Sequence, residues 1–235
     1  MKKSDLVLFD LDHTLLNGDT QSEWGHYLAG CGVVDAALYR KKMDEFDQGY
    51  QQGKLDIAAL LKFQMEILRP YSSEQIDAWR SEFLEQRIRP LIVKEGLKIL
   101  LHHQQAGDEV ILITATNEFL TTPIAELLNI KYLIALKEER DAQGKFTGRF
   151  LGTPSYREGK ITRVQEWLME RNRSFEDYEK IWFYSDSHND LPLFLIATNP
   201  IAVNPDQTLE AYAKKKKWPI LDFGIARVSN TLVEK

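Results

Sequence analysis

The chain is poor in several features that mark large classes of protein. It contains one cysteine, Cys31, in 235 residues, so no disulfide can form within it, which agrees with a reducing compartment. Its apolar runs are far too short to cross a bilayer, and the run at residues 6–9 is too short for a signal peptide. The formal net charge of -5 provides no basic surface for nucleic acid. We therefore expect a cytoplasmic protein of bacterial type that binds neither membrane nor nucleic acid.

The composition is that of a globular chain, with 43% hydrophobic and 28% charged residues, and the length fits one domain or one domain with an insertion. Short apolar runs rich in β-forming residues recur at 6–9, 110–113, 132–135, 181–184, 201–203 and 220–221. Helical spacing of apolar residues lies between most of these runs. This alternation predicts an α/β fold with a doubly wound, Rossmann-like parallel sheet.

Two segments depart from the alternation. Residues 17–89 contain helical patterns without a convincing strand and end where Pro90 would interrupt a helix. We interpret them as an inserted helical cap, which leaves residues 1–16 and 90–235 for the core domain. Residues 137–150 resemble a β-hairpin with Gly144 and Gly148 at its bends, and this predicts a small flap.

Two acidic clusters follow apolar runs that are far apart in the sequence. Asp10 and Asp12 end the first run, and residues i and i+2 of an extended chain point the same way, so both carboxylates can face one reacting group. Asp186 and Asp190 follow the run at 181–184. By itself the first pair could be an ordinary strand exit. The ends of parallel strands converge, however, so the two clusters can share a cation, and phosphoryl transfer is the reaction that they suggest.

Four motifs in order, FDLDHTL, ILITAT, EGK and YSDSHNDLPL, resemble those of the haloacid dehalogenase superfamily across nearly the whole chain. The helical insertion after the first motif resembles the cap of the phosphoserine-phosphatase-like branch. The closing residues 203–206 and 218–220 are similar to bacterial members, some of which are histidinol-phosphatases.

The resemblance implies that Asp10 attacks phosphorus to form an aspartyl-phosphate. Asp12 would protonate the leaving alkoxide and then deprotonate the hydrolytic water. A magnesium ion, which prefers hard oxygen ligands, would be held by the carboxylates of Asp10 and Asp186 and by the backbone carbonyl of Asp12. Asp190 would orient these ligands without binding the metal ion itself.

The resemblance also implies phosphate contacts. The Thr114 hydroxyl would bind a phosphate oxygen, Lys160 would offset the charge on the phosphoryl group, and the Asn189 amide would contact phosphate. Each residue has a simpler interpretation: a threonine at a strand end, a solvated lysine, and an amide that holds a loop.

Substrate choice is expected to lie in the cap. Asp19 matches a cap acid that would receive a substrate ammonium group, but it can also be only a helix cap. A cap arginine that would bind a substrate carboxylate is absent, since residues 60–64 offer Lys62 and Gln64 in that region. Trp24 is a candidate to stack against a planar substrate ring, together with Tyr27, Phe46 and Tyr50, although such aromatics can equally form the core of the cap.

These observations predict magnesium-dependent hydrolysis of a small phosphomonoester. Histidinol phosphate is the preferred substrate, because it has an amine and a ring but no carboxylate, and phosphoserine is the alternative. A phosphotransferase and a regulator without turnover remain open as other classes. Neither His102 nor His103 suggests a metal site, because adjacent residues on a helix face apart, and we expect both at the surface. Cys31 is assigned no chemistry.

Overall fold

The computed structural model describes residues 4–224, and its centre is a seven-stranded sheet. The strands are β1 (Leu6–Phe9), β2 (Glu109–Asn117), β3 (Tyr132–Arg140), β4 (Phe146–Leu151), β5 (Ile181–Ser185), β6 (Asn199–Val203) and β7 (Ile220–Leu221). Their order is β4-β3-β2-β1-β5-β6-β7, and every neighbouring pair is parallel except the antiparallel pair of β3 and β4. The predicted α/β fold with a mostly parallel sheet is confirmed.

Strand β1 occupies the point where the strand order reverses. Its four residues are all buried, and Phe9 pairs with Leu112 of β2 on one side and with Tyr184 of β5 on the other. Ligands of open parallel sheets bind outside the carboxyl ends of the strands at such a point. The residues that follow β1 and β5 therefore lie side by side at the expected position of a site.

Nine α-helices accompany the sheet in the described part of the chain. They are α1 (Thr20–Gly30), α2 (Ala36–Gln51), α3 (Ile57–Leu68), α4 (Ser73–Phe83), α5 (Lys94–Ala106), α6 (Glu118–Leu127), α7 (Glu158–Met169), α8 (Leu191–Phe194) and α9 (Gln207–Lys216). A π-helical turn at Leu84–Ile88 and a 3-10 turn at Arg89–Leu91, which contains Pro90, lead from α4 back to the sheet. Within residues 4–224, no helix is both long enough and apolar enough to cross a bilayer.

The segment between β1 and α5 is helical, as the sequence predicts. Helices α1 to α4 each begin with a side chain that accepts a hydrogen bond from the first turn. One isolated antiparallel bridge, between Leu16 and Ile92, joins the chain where it leaves the sheet to the point where it returns. The division into a core and a cap at residues 17–89 stays a prediction, and we use the word cap for α1 to α4.

Apolar side chains cover both faces of the sheet because residues alternate sides along each strand. Leu6, Leu8 and Phe183 belong to the cluster on one face. Val7 and Phe9 belong to the cluster on the other face, which continues into the cap. The cap is thus joined to the sheet through a common apolar core.

The predicted hairpin flap is formed by β3 and β4. Gly144 lies in the bend between them with φ 78°, a conformation that favours glycine. Gly148 is not at a bend, contrary to the prediction. It lies within β4, where an added Cβ would be 3.5 Å from the Cα of Lys62 in α3. The flap therefore packs directly against the cap.

The expectation that His103 is at the surface is wrong. His103 is 6% exposed because α5 turns it toward the sheet, where two polar groups meet its ring. Its Nδ1 atom lies 2.7 Å from Oδ2 of Asp108, and its Nε2 atom lies 3.0 Å from the Tyr184 hydroxyl. His102 is exposed, as expected.

Candidate active site

Three carboxylates gather at the carboxyl ends of β1 and β5. Asp10 follows β1 directly, and its N–H donates to the carbonyl of Tyr184 at 2.9 Å, so it continues the parallel ladder. Asp186 follows β5, and Asp190 lies in a 3-10 turn, His188–Asp190. The exposed fractions are 7% for Asp10 and Asp186 and 2% for Asp190. The structure thus brings together residues that are about 180 positions apart in the sequence, as strand geometry predicts.

Lys160 lies between two of these carboxylates. Its Nζ atom donates to Oδ1 of Asp10 at 2.8 Å and to Oδ2 of Asp190 at 2.7 Å, and it is 3% exposed. Burial alone would lower the pKa of this ammonium, but the two carboxylates outweigh burial and raise the pKa above its ordinary value. The alternative of a solvated lysine is therefore excluded, and Lys160 is a charged group in the centre of the site.

Asp190 contacts two polar side chains of the site. Its Oδ2 atom accepts hydrogen bonds from Lys160 and, at 2.6 Å, from the hydroxyl of Ser185. Through these contacts Asp190 fixes the position of the lysine that faces Asp10.

The carboxylates produce a strongly negative environment. The pKa of Asp10 is raised to about 6, because burial and the neighbouring Asp190 raise it more than Lys160 lowers it. The buried hydroxyl of Tyr50, in α2, also has its pKa raised well above the usual value, first by burial and then by Asp190, Asp186 and Asp10. The pKa of Asp10 is raised although Lys160 contacts it, so a further cation would stabilise the ionised form of Asp10.

The donor atoms of the site suit magnesium. No cluster of three or more His, Cys, Asp and Glu side chains in residues 4–224 could by itself hold a metal ion. Magnesium does not require such a cluster, because it usually binds through one or two carboxylates and completes its octahedron with water and substrate phosphate. The carboxylates of Asp10 and Asp186 follow neighbouring parallel strands, and with the backbone carbonyls beside them they form a donor set of this kind.

Asp12 is held in surroundings unlike those of Asp10. Its Oδ1 atom accepts hydrogen bonds from both the N–H of Thr20, at 2.7 Å, and the Thr20 hydroxyl. Its Oδ2 atom accepts from the Thr116 hydroxyl at 2.8 Å. The pKa of Asp12 is raised to about 7, because burial and then the nearby Asp19 carboxylate raise it more than the hydrogen bonds from Thr20 lower it. A carboxyl group with a pKa near neutrality can both give and accept a proton.

Sequence reasoning missed Thr20 and Thr116. Thr116 had a detectable signal, because it is two residues after Thr114 on a strand and so points the same way. Thr114 itself is 2% exposed and lies just beyond the pairing of β1 with β2. Its hydroxyl accepts the N–H of Thr116 at 3.1 Å. The pairing of β2 with β3 changes register between Ile113 and Asn117, so the strand is irregular where it borders the site.

The Asn189 amide holds the cap against the core. Its Nδ2 atom donates to the carbonyl of Tyr50 at 2.9 Å, and its Oδ1 atom accepts from the Tyr156 hydroxyl at 3.2 Å. The Tyr50 hydroxyl in turn donates to Oγ of Ser187 at 3.0 Å. The alternative role, an amide that holds a loop, is the one that these contacts support.

A second contact closes the cap over the site. Arg157, next to the first turn of α7, donates from Nη1 to the carbonyl of Gly53 at 2.7 Å. Gly53 has φ 66°, and a Cβ at this position would lie 2.6 Å from the same Nη1 atom. The loop between α2 and α3 is therefore seated on the core beside the carboxylates.

Two of the three cap residues predicted to contact substrate have their observed contacts outside the carboxylate cluster. Trp24 is 2% exposed, and its ring is packed against Tyr27, Phe83 and Phe119 at centroid distances of 5.6, 5.0 and 5.9 Å. It belongs to the cap core, which was the alternative interpretation. The side chain of Lys62 is 66% exposed, with Glu66 3.8 Å away. These contacts do not support a substrate role for either residue. The sequence does not show which face of a helix meets the core.

Gln64, two residues after Lys62 in α3, is buried between the cap and the sheet. It is 3% exposed, and its amide bonds to Gln21 of α1 at 2.7 Å and to Asn117 of β2 at 3.3 Å. Asp19 is the N-cap of α1, where Oδ1 accepts the N–H of Ser22 at 2.7 Å. Since Asp19 also raises the pKa of Asp12, it lies near the reacting end of the site as well.

The profile of the haloacid dehalogenase-like hydrolases matches residues 7–195, which include all of the carboxylates described above. The chain belongs to the haloacid dehalogenase-like hydrolase family. It is a phosphatase of this family.

The relatives agree with this assignment. The chain is 45% identical to a histidinol-phosphatase from Neisseria meningitidis serogroup C over 219 residues, which cover 93% of this chain and 99% of the relative. A crystal structure of a protein of unknown function from Bordetella pertussis superposes with a TM-score of 0.88 at 38% identity and covers 94% of this chain and all of that one. A substrate-bound phosphoserine phosphatase superposes with a TM-score of 0.66 at 20% identity, covering 96% and 94% of the two chains. The last similarity shows the fold.

Proposed function

We propose that this haloacid dehalogenase phosphatase hydrolyses histidinol phosphate through a phosphorylated Asp10 and requires magnesium. The observation that carries the proposal is the different environment of two carboxyl groups at one strand end. Asp10 contacts the ammonium of Lys160 at 2.8 Å, which favours the ionised form of a nucleophile. Asp12 contacts hydroxyl and N–H donors and has a pKa raised by burial to about 7. One group is suited to attack and the other to proton transfer.

In the first step an oxygen of Asp10 forms a bond to phosphorus while the bond from phosphorus to the substrate oxygen breaks. Asp12 gives its proton to that departing oxygen, and the amino alcohol leaves. In the second step Asp12 takes a proton from water, the water oxygen attacks phosphorus, and the bond to Asp10 breaks. Lys160 offsets negative charge on Asp10 and on the phosphoryl group in both steps.

The magnesium ion would be held by the carboxylates of Asp10 and Asp186 and by the backbone carbonyl of Asp12. When bound, it would neutralise phosphate charge and help to keep Asp10 ionised. The Thr114 hydroxyl is proposed to bind a phosphate oxygen, because it lies on the strand next to Asp10. Asn189 supports the same end of the site by fixing the Tyr50 backbone.

The choice of substrate rests on what the cap offers near Asp12. Asp19 places a carboxylate close to the leaving group, where it can receive an ammonium ion. Neither Lys62 nor Gln64 supplies a partner for a substrate carboxylate: Lys62 points to solvent, and the Gln64 amide is engaged by Gln21 and Asn117. A substrate with an amine but no carboxylate fits this arrangement, and the relative that is 45% identical is a histidinol-phosphatase.

Phosphate release from histidinol phosphate and from phosphoserine, measured side by side with magnesium, tests the proposal. We expect a higher kcat/KM for histidinol phosphate, and we expect activity to disappear in Asp10→Asn and after chelation of the metal. A preference for phosphoserine would overturn the substrate assignment. Phosphate transferred to an added alcohol, without free phosphate, would indicate a phosphotransferase. No turnover of any phosphomonoester would indicate a phosphate-binding regulator.

A further inference from the structure

A chain of four side-chain hydrogen bonds runs through the cap to Asp12. Asn117 Nδ2 donates to Gln64 Oε1 at 3.3 Å, and Gln64 Nε2 donates to Gln21 Oε1 at 2.7 Å. Gln21 Nε2 then donates to Thr116 Oγ1 at 3.3 Å, and the Thr116 hydroxyl donates to Asp12 Oδ2 at 2.8 Å. We call this chain the amide relay. Every donor in the relay points toward Asp12.

The direction of the amide relay is fixed at its far end by the backbone. The N–H of Leu120, in the first turn of α6, donates to Oδ1 of Asn117 at 3.0 Å. A backbone N–H can only donate, so Asn117 must present its NH₂ group to Gln64. Each following amide then has one allowed orientation, and the hydrogen of the Thr116 hydroxyl is left for Asp12. The start of α6 thus determines which group Thr116 donates to.

The amide relay crosses between cap and core twice. Thr116 and Asn117 belong to β2, whereas Gln21 and Gln64 belong to α1 and α3. Gln64, Thr116 and Asn117 are 3%, 2% and 1% exposed, so a bond that is lost inside the relay would not readily be replaced by one to water. The complete relay therefore exists only when the cap lies against the core.

We propose that Gln64, Gln21 and Thr116 are positioning residues through which the closed cap orients the carboxyl group of Asp12 toward the leaving group. The inference rests on the proposed role of Asp12. Thr20 holds Oδ1 and Thr116 holds Oδ2, so both oxygens are fixed in space. Each oxygen has two lone pairs, and Oδ2 can therefore accept from Thr116 on one side and carry the transferred proton on the other.

The consequence depends on the leaving group. An alkoxide is a poor leaving group and must receive the proton as its bond to phosphorus breaks, whereas 4-nitrophenolate leaves without one. Since kcat/KM includes only the steps up to departure of the leaving group, a misplaced Asp12 lowers kcat/KM for an alkyl phosphate and has little effect on that for 4-nitrophenyl phosphate.

The test measures kcat/KM for both kinds of substrate in Thr116→Val and Gln64→Leu. Thr116→Val keeps the shape of the side chain and removes the last donor, and Thr116→Ser restores a hydroxyl. The control is Gln104→Leu, the same substitution at a glutamine of α5 that donates to the carbonyl of Asn129 at 2.9 Å and lies outside the relay. Thermal unfolding of each variant reports on its folding.

We expect Thr116→Val to lower kcat/KM for histidinol phosphate by about tenfold or more. A complete general acid contributes roughly 10²–10⁴-fold, and the variant should lose part of that contribution. Gln64→Leu should lower the same kcat/KM by a smaller factor. Neither variant should change kcat/KM for 4-nitrophenyl phosphate by more than about threefold. Thr116→Ser should recover most of the lost kcat/KM, and Gln104→Leu should leave kcat/KM unchanged for both substrates. Equal losses on both substrates, or no loss on either, would overturn the inference. A wild-type enzyme that hydrolyses no alkyl phosphate would instead overturn the proposed function.

Discussion

Replacement of Lys160 by methionine tests the electrostatic account of the site. The substitution keeps most of the volume of the stem and removes an ammonium that lies 2.8 Å from Asp10 and 2.7 Å from Asp190. Removing one partner of a buried ion pair costs about 3–5 kcal/mol, because the remaining charge is left without compensation. We expect a loss of this size in the free energy of unfolding at pH 8, together with loss of phosphatase activity.

The loss should depend on pH in a defined direction. Without the lysine, the folded-state pKa of Asp10 rises further above that of the unfolded chain. Stability that depends on the protonated form of Asp10 is present at low pH and is lost as pH rises through this raised value. Urea unfolding without metal should therefore show a smaller difference between Lys160→Met and wild type at pH 5 than at pH 8.

A matched control is Lys98→Met on α5. That side chain is 76% exposed and lies 3.8 Å from Glu95, so its removal should change stability by less than about 0.5 kcal/mol at either pH. The electrostatic reasoning is refuted if Lys160→Met is as stable as wild type at pH 8. It is also refuted if the loss is the same at both pH values.

Three further predictions concern single residues. The pKa of Asp10 is raised by burial to about 6, so the metal-free protein should lose on the order of 3 kcal/mol of stability as pH rises from 4 to 7; urea unfolding should show a flatter profile for Asp10→Asn. Trp24→Ala should lower the free energy of unfolding by about 3–5 kcal/mol, because it empties a buried site, while the ratio of kcat/KM for histidinol phosphate to that for phosphoserine stays unchanged. Lys62→Ala should leave KM for both substrates unchanged in steady-state assays, because its ammonium points to solvent. A changed substrate ratio in Trp24→Ala, or a raised KM in Lys62→Ala, would show that the substituted residue contacts substrate.

The sheet was largely predictable because buried parallel strands have continuous apolar runs. The predicted strands at 110–113 and 132–135 begin within one residue of β2 and β3 but end four or five residues too early. The extra residues are mainly polar, as in Thr114, Thr116 and Asn117, since the strands there border the site and the flap and no longer cross the apolar core. Backbone pairing continues where the apolar pattern ends.

The carboxylates of the candidate site were predictable for the same geometric reason. Asp10 and Asp186 follow strands whose neighbours are determined by the fold, and the ends of such strands meet. The cap was not predictable at this level, because a helix position becomes a core or a site position only through packing against other helices. Trp24 was predicted to stack against a substrate ring, but its ring packs in the cap core. Gln64, for which no contact was predicted, is connected through Gln21 to Thr116, which donates to Asp12.

The central claim is that Asp10 carries the phosphoryl group, and trapping that group tests it most directly. Asp12→Asn has no base for the second step, so with magnesium and 4-nitrophenyl phosphate, which needs no proton to leave, a phosphorylated enzyme should accumulate. Mass spectrometry of a digest should find one added phosphoryl group on Asp10, and the double variant Asp10→Asn with Asp12→Asn should carry none. A phosphoryl group on a different residue, or substrate turnover by the double variant, would contradict the account.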